Sequence, residues 1–324
     1  MTEDGITVSI VIVCMNRTDN LYPCLESIRK FNSVNCEILV VAYLFDRKKL
    51  AQAREDFPEV RFIDSRQTRG FSENNNLALR QARGRYCFIL NDDTLFTCDA
   101  LKSLVEDMEA LPRDAAIVSP KLLNSDLSLQ LCGRPDYPWY NYLLQQWHLY
   151  SEKKDDTAGK SPVLGSVYST FNICGAAFLI KTEVFRELGW FDERYFFTPE
   201  DIALSTLARS RGYGVYVDSA VSIIHKARTT ASALSSAVRP AAVKGSLIFF
   251  ASGRKTRGFF LKLGVWLAES SKRLKAYWTA KVHPSPENRI KHQTFKNISR
   301  SIFSSLSPKE LFIKYSKELS GNGS

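Results

Sequence analysis

Two apolar runs bracket a helical one at the start of the chain, and this alternation constrains the fold more than any other feature. Val8-Ser9-Ile10-Val11-Ile12-Val13 has the length and β-branched content of a strand buried on both faces. After the loop Asn16-Arg17-Thr18-Asp19, Leu21, Leu25 and Ile28 recur with helical spacing as far as Phe31. Glu37-Ile38-Leu39-Val40-Val41 is then a second apolar strand. Strand, helix and strand within about thirty residues form the βαβ unit of a parallel sheet with a right-handed crossover. Open sheets of this kind bind ligands in the crevice beyond the carboxyl ends of their strands.

The stretch from Gly70 to Thr94, GFSENNNLALRQARGRYCFILNDDT, leads into that crevice. A Gly and three Asn open a helix pattern through Leu77, Leu79 and Ala82, which yields at Gly84 to the apolar strand Tyr86 to Leu90. The strand ends in Asn91-Asp92-Asp93. Two carboxylates there supply hard oxygen ligands suited to Mg²⁺ or Mn²⁺ shared with substrate phosphates. Asn75 and Asn76 can each donate and accept hydrogen bonds near a diphosphate, and Asn also serves as a helix cap.

These residues resemble the core of the family 2 glycosyltransferases of the GT-A fold. The shared pattern is Gly70, Asn75-Asn76, Ala78, Ala82-Arg83-Gly84, the strand Phe88-Ile89-Leu90 and the acid cluster Asn91-Asp92-Asp93. The resemblance covers about residues 6 to 226, roughly two-thirds of the chain. It implies an α/β fold of GT-A (Rossmann-like) type: a mixed, mainly parallel sheet flanked by helices. It also implies a nucleotide-diphosphate sugar donor and Mg²⁺ or Mn²⁺ on Asp93, with Asp92 nearby. Donor contacts fall at Asn16, Asp46, Asn75, Asn76, Asn91 and Asp92. The closest theme within the family is rhamnosyltransferase-like, of bacterial polysaccharide biosynthesis. One departure concerns the nucleoside: where the family has Asp-Asn-x-Ser-x-Asp after the second strand, this chain has Ala42 and Tyr43. Asp46 is one substitute for the missing carboxylate, and Tyr43 stacking on the base is another.

A second block, from Ile173 to His225, is similar to the family's acceptor half. Gly189-Trp190-Phe191-Asp192-Glu193 and Tyr195-Phe196-Phe197-Thr198-Pro199-Glu200-Asp201 match a pattern in which the Asp of Glu-Asp is the general base. Asp201, with Glu200 beside it, is the catalytic candidate, although acids at a helix start also complement its dipole. Ala203 and Leu207 stand where the family often carries a carboxylate and an Arg, and Arg209 is the nearest substitute guanidinium. His225, after the strand Ala220 to Ile224, corresponds to a position close to metal and diphosphate, so it joins Asp93 and Asp92 as a metal-ligand candidate. Between the blocks, residues 124 to 167 lose periodicity and become aromatic. Trp139 and Tyr140 there, with Phe197, are the acceptor-binding candidates, since aromatic faces suit the apolar faces of sugar rings.

Charge divides the chain. Of its net +10, residues 226–324 hold 19 Lys and Arg against 4 Asp and Glu, a net of +15. Aromatics interleave with these cations between Gly258 and Trp278, the composition of a helix lying in a membrane interface. No apolar run reaches the roughly 18 residues needed to span a bilayer. Seven scattered Cys without a C-x-x-C pair, and no secretory leader, point to a reducing cytosol. The expected organisation is a catalytic domain at 1–226, with 1–94 binding donor and 95–226 binding acceptor, and a basic helical extension at 227–324. That extension is expected to be loosely ordered beyond His283.

The expected activity is metal-dependent transfer of a sugar, with inversion, to a glycan or lipid-linked glycan of a cell-surface polysaccharide. The enzyme would work from the cytoplasm, peripherally on the inner face of the cell membrane. A catalytically silent sugar- or partner-binding scaffold would accommodate Ala42, Ala203 and Leu207. A nucleic-acid-binding protein would use the basic tail but leave both acid pairs without a role, so no nucleic-acid partner is expected.

Overall fold

The computed structural model describes residues 5–227 and 234–321. The βαβ reading holds at its expected place. β1 (Val8–Cys14), α1 (Thr18–Phe31), β2 (Cys36–Tyr43), α2 (Arg47–Asp56), β3 (Val60–Ser65), α3 (Phe71–Leu79) and β4 (Tyr86–Asn91) build the first half. Their strands lie in the order β3-β2-β1-β4, every neighbour parallel. The order reverses at β1, so a crevice opens beyond the ends of β1 and β4.

The second half extends the same sheet with mixed direction. It comprises β5 (Thr94–Phe96), α4 (Ala100–Ala110), β6 (Ala115–Leu123), β7 (Leu129–Leu131), α5 (Trp139–Gln146), β8 (Val167–Ser169), β9 (Ala177–Lys181), α6 (Thr182–Glu187), α7 (Glu200–Ser210) and β10 (Gly214–His225). β9 enters antiparallel between β4 and β6, and β6 pairs in parallel with β10. Both sheet faces are covered. Ile10, Ile12 and Phe88 pack on one side with Leu25, while Val11, Ile89 and Phe178 pack on the other with Phe191. Each such side chain contributes about 1.5–3 kcal/mol on burial, which is why β1 carries no polar alternation.

The chain then forms four helices: α8 (Ser235–Ala251), α9 (Lys255–Val282), α10 (Pro286–Ser301) and α11 (Pro308–Gly321). The segment beyond His283 is therefore packed helix rather than loosely ordered chain. Ser285 Oγ accepts from Asn288 N (3.1 Å) to cap α10, and Ser307 and Glu310 bond each other's backbone amides to cap α11. Phe295 and Ile298 bury against Leu247, Leu261 and Val265, while Leu311, Phe312 and Tyr315 bury against Phe196. Lys309 Nζ reaches Glu73 Oε1 at 2.7 Å, tying α11 to α3.

One glycine fixes how these parts meet. A β-carbon at Gly70 would run into the Phe196 backbone, and Phe71 N donates to the Phe196 carbonyl at 2.9 Å. The start of α3 is thereby pressed on the Phe196-Phe197 segment.

Candidate active site

A cavity of ≈ 320 Å³ lies in the crevice beyond β1 and β4. Its floor is Asn91, Asp92 and Asp93 from the end of β4, with His225 from the end of β10. Tyr43, Arg69 and Asn74 give it further polar groups, and Phe71, Phe197 and Phe312 give it apolar walls.

The polar floor is set by a chain of hydrogen bonds. Gln130 Nε2 donates to Asn124 Oδ1 (2.9 Å) and to the His225 carbonyl (3.0 Å), which leaves Gln130 Oε1 facing His225 Nδ1 at 2.7 Å. An oxygen can only accept, so Nδ1 carries a proton and Nε2 points the other way. Nε2 lies 3.3 Å from Asp93 Oδ1 and 3.3 Å from the Asn91 side-chain amide. Asn91 Nδ2 is the donor within reach of Nε2, so a cation shared by Asp93 Oδ1 and Nε2 would take the place of that amide. Lys226 N donates to the Asp93 carbonyl at 3.0 Å and fixes its backbone. Asp92 is buried, its Oδ2 has no hydrogen-bond partner, and burial chiefly, with the charge of Asp93, pushes its carboxyl up to about 7. Among the described residues, no three His, Cys, Asp or Glu side chains converge into a cage. A divalent ion here would be completed by substrate oxygens, the usual habit of Mg²⁺. Asp93 and His225 fit that role.

The second acid pair opens α7. Asp201 Oδ2 accepts from Gly175 N and from Arg134 Nη1, both at 3.1 Å, and Oδ1 accepts from Ile202 N at 2.8 Å. Arg134 also grips Glu152 through Nε (2.7 Å) and Nη2 (3.1 Å). Asp201 lines a separate cavity of ≈ 300 Å³ with Arg134, Tyr137, Tyr142 and Pro199. The two sites are joined through one short run of backbone: Gly175 N donates to Asp201, and the next carbonyl, Ala176 O, accepts from Asn91 N at 2.9 Å. Glu200 is buried with Oε2 unpartnered, and burial first, then the neighbouring Asp201 charge, raises its carboxyl to about 8.

Several candidates from the sequence sit elsewhere. Asn75 Nδ2 donates to the Phe71 carbonyl (2.9 Å), within its own helix. Asn76 is spent on the Phe191 loop: its side chain accepts from Phe191 N (3.1 Å) and donates to the Phe191 carbonyl and Glu193 (both 2.9 Å). Asn16 Oδ1 accepts from Asp46 N, and Asp46 caps α2 through Lys48 N and Lys49 N. None of these four lines the Asp93 cavity. Arg209 stacks over Phe171 (4.9 Å) and approaches Asp136, not Asp201. The guanidinium that serves Asp201 is Arg134, from the irregular aromatic region, where no periodicity signals it. Trp139 and Tyr140 pack edge to face on α5, and neither lines the Asp201 cavity, whereas Phe197 lines the Asp93 cavity.

A parallel half ending in an acid pair, an inserted antiparallel strand and a second acid pair at the start of α7 define a glycosyltransferase of the GT-A type. The chain belongs to glycosyl transferase family 2, whose family model matches residues 9–189. Among curated proteins none matches the sequence. Among the solved structures that share the fold are two in complex with Mn²⁺. One is a crystal structure of GalNAc-T7 with UDP, GalNAc and Mn²⁺: TM-score 0.53, 17% identity, 69% of this chain and 44% of that chain covered. This chain therefore spans less than half of GalNAc-T7. The other is the mannosyltransferase PcManGT from Pyrobaculum calidifontis in complex with GDP-Man and Mn²⁺: TM-score 0.54, 14% identity, 98% of this chain and 88% of that chain covered.

Proposed function

We propose that the protein transfers a sugar from a nucleotide-diphosphate donor to an acceptor hydroxyl in one metal-dependent displacement that inverts the anomeric carbon. The observation that carries this reading is the facing pair of Asp93 Oδ1 and His225 Nε2 at 3.3 Å, on the floor of the cavity beyond β1 and β4. Bound there, Mg²⁺ or Mn²⁺ supplies Lewis-acid neutralisation of the departing diphosphate. Asn91 and Gln130 hold the His225 ring in place, and Asp92 lies buried beside Asp93 on the cavity floor. Asp201 takes the proton of the attacking hydroxyl, with Arg134 and Gly175 N holding its carboxylate and Glu200 beneath it. Tyr43, Arg69 and Phe71 form the donor wall. Mn²⁺ complexes of UDP and GDP-Man in the two structural relatives agree with this class of donor.

The acceptor in this reading is a glycan or lipid-linked glycan of a cell-surface polysaccharide. The basic residues 227–324 hold the enzyme on an anionic membrane face. A thermal-shift panel of nucleoside diphosphates tests the donor assignment: at least one base should stabilise the protein in the presence of Mn²⁺ and not in its absence. Equal stabilisation by all, with or without the ion, would contradict it.

A further inference from the structure

The exposed apolar side chains are not scattered. Of the 20 large ones among the described residues, 12 lie on α9 or between Tyr140 and Leu149. On α9, Phe259, Phe260, Trp266, Leu267, Leu274 and Trp278 fall within an arc of about 120° at 3.6 residues per turn. The opposite side of the helix buries Leu261, Val265 and Ala276 in the core. On α5 and its C-cap, Tyr140, Leu144 and Trp147 repeat at i, i+4 and i+7, also exposed.

The two stripes adjoin. Trp139 lies under the Arg257 guanidinium (6.0 Å), a β-carbon at Gly264 would crowd Leu143, and His148 shares a groove with Lys272 and Lys275. α5 therefore runs alongside α9 over most of its length.

We propose that α5 and α9 form one membrane-inserting face, with α9 lying flat in the headgroup layer of an anionic bilayer. This deepens the membrane attachment proposed above and rests on it. The charges select the occupant. α9 carries seven Lys and Arg and a single acid, Glu269, which is buried and held by Lys272 at 2.6 Å. Arg257 and Lys275 border the stripe on one side, and Lys262 and Arg273 on the other, where long basic side chains keep their heads at phosphate depth. A second copy of the chain would set these cations against each other. No described helix is long and apolar enough to cross a membrane, so the face lies on the bilayer. The opposite side of α5 supplies Tyr142 and Gln146 to the Asp201 cavity. One short helix thus separates the bilayer from the proposed base, which suits an acceptor whose tail stays in the lipid.

The test is flotation on phosphatidylcholine vesicles with and without phosphatidylglycerol, in parallel with tryptophan quenching by brominated lipid chains. The wild-type protein should float with the anionic vesicles and be quenched by them. Trp266→Ser with Trp278→Ser should lower partitioning at least about tenfold, and Tyr140→Ser with Trp147→Ser several-fold, because both stripes insert. Quenching of the wild type needs no variant, so misfolding of a variant does not decide the matter. Unquenched binding, partitioning of both double variants equal to wild type, or a stripe whose loss changes only self-association in light scattering would each overturn the proposal. The assay contains no sugar nucleotide. Its failure leaves the transferase reading standing, and failure of donor binding leaves this one standing.

Discussion

The two acid pairs are built alike and differ in one partner. In Asp92-Asp93 and in Glu200-Asp201 the first acid is buried, has an unpartnered oxygen and has its carboxyl raised by burial. The second acid of each pair faces a cavity and a basic side chain. That side chain is His225 for Asp93 and Arg134 for Asp201. An imidazole held by Gln130 through Nδ1 can, when neutral, turn Nε2 to a cation shared with Asp93. A guanidinium is always charged and offers only donors, so it disfavours a metal cation at the second pair, in line with the role proposed for Asp201 as base. Two acidic dipeptides, Asp-Asp at a strand end and Glu-Asp at a helix start, thus meet different basic partners drawn from far away in the chain.

The sharpest way to break this comparison is Asp201→Asn, which keeps the shape and removes the base. Turnover should fall by about 10² or more while donor affinity stays within a few-fold; equal losses in both would make Asp201 a structural cap of α7. Next in size is Arg134→Lys, which keeps the charge and loses the fork joining Asp201 to Glu152. Steady-state kinetics should show kcat lowered by about tenfold with the donor KM nearly unchanged, since a single ammonium cannot hold both carboxylates. A donor KM that rises with no change in kcat would place Arg134 at the donor instead.

A smaller effect separates the buried acids from their active neighbours. Glu200 in the folded protein holds its proton up to about pH 8, whereas the unfolded chain releases it near the ordinary Glu value. Folding stability should therefore fall as pH rises between these limits. Glu200→Gln should remove that fall, gaining at least about 1 kcal/mol on wild type between pH 5 and pH 8 in urea unfolding, the worth of roughly one pKa unit. Parallel curves for the two proteins would show that Glu200 is ionised in place. The smallest effect belongs to Tyr43→Phe, which removes the hydroxyl that accepts from Arg69 N at 3.3 Å. Donor affinity, measured by calorimetry, should weaken about fivefold or less, with kcat unaltered. An unaltered affinity would take Tyr43 out of the donor wall.

The acids of the Asp93 site were legible because they end an apolar strand, whereas His225, 134 positions from Asn91, was a candidate only through the family resemblance. The Asp201 site was half legible. Its acids lie in a recognisable block, but Arg134 reaches Asp201 across 67 positions from a segment with no period. The Asn run illustrates the opposite error, since Asn76 is consumed 115 positions away by the Phe191 loop, a contact that no local pattern encodes. The extension was expected to be helical, and beyond His283 its order carries local signals: Ser285-Pro286 is a helix start, and Ser307 with Glu310 is a capping box. The aromatics of α5 were read by residue type as sugar platforms. Their i, i+4, i+7 exposure is a tertiary property, because it depends on which side α9 covers.

The central claim is that Asp93 with His225, and not Asp201 with Arg134, holds a divalent ion together with the donor diphosphate. Calorimetric titration of Mn²⁺ into the protein saturated with its preferred nucleoside diphosphate tests this directly, in wild type, Asp93→Asn, His225→Gln and Asp201→Asn. The account predicts that the Mn²⁺ heat disappears in Asp93→Asn, weakens by about tenfold or more in His225→Gln and persists in Asp201→Asn. Mn²⁺ binding that survives Asp93→Asn and is lost in Asp201→Asn would contradict it.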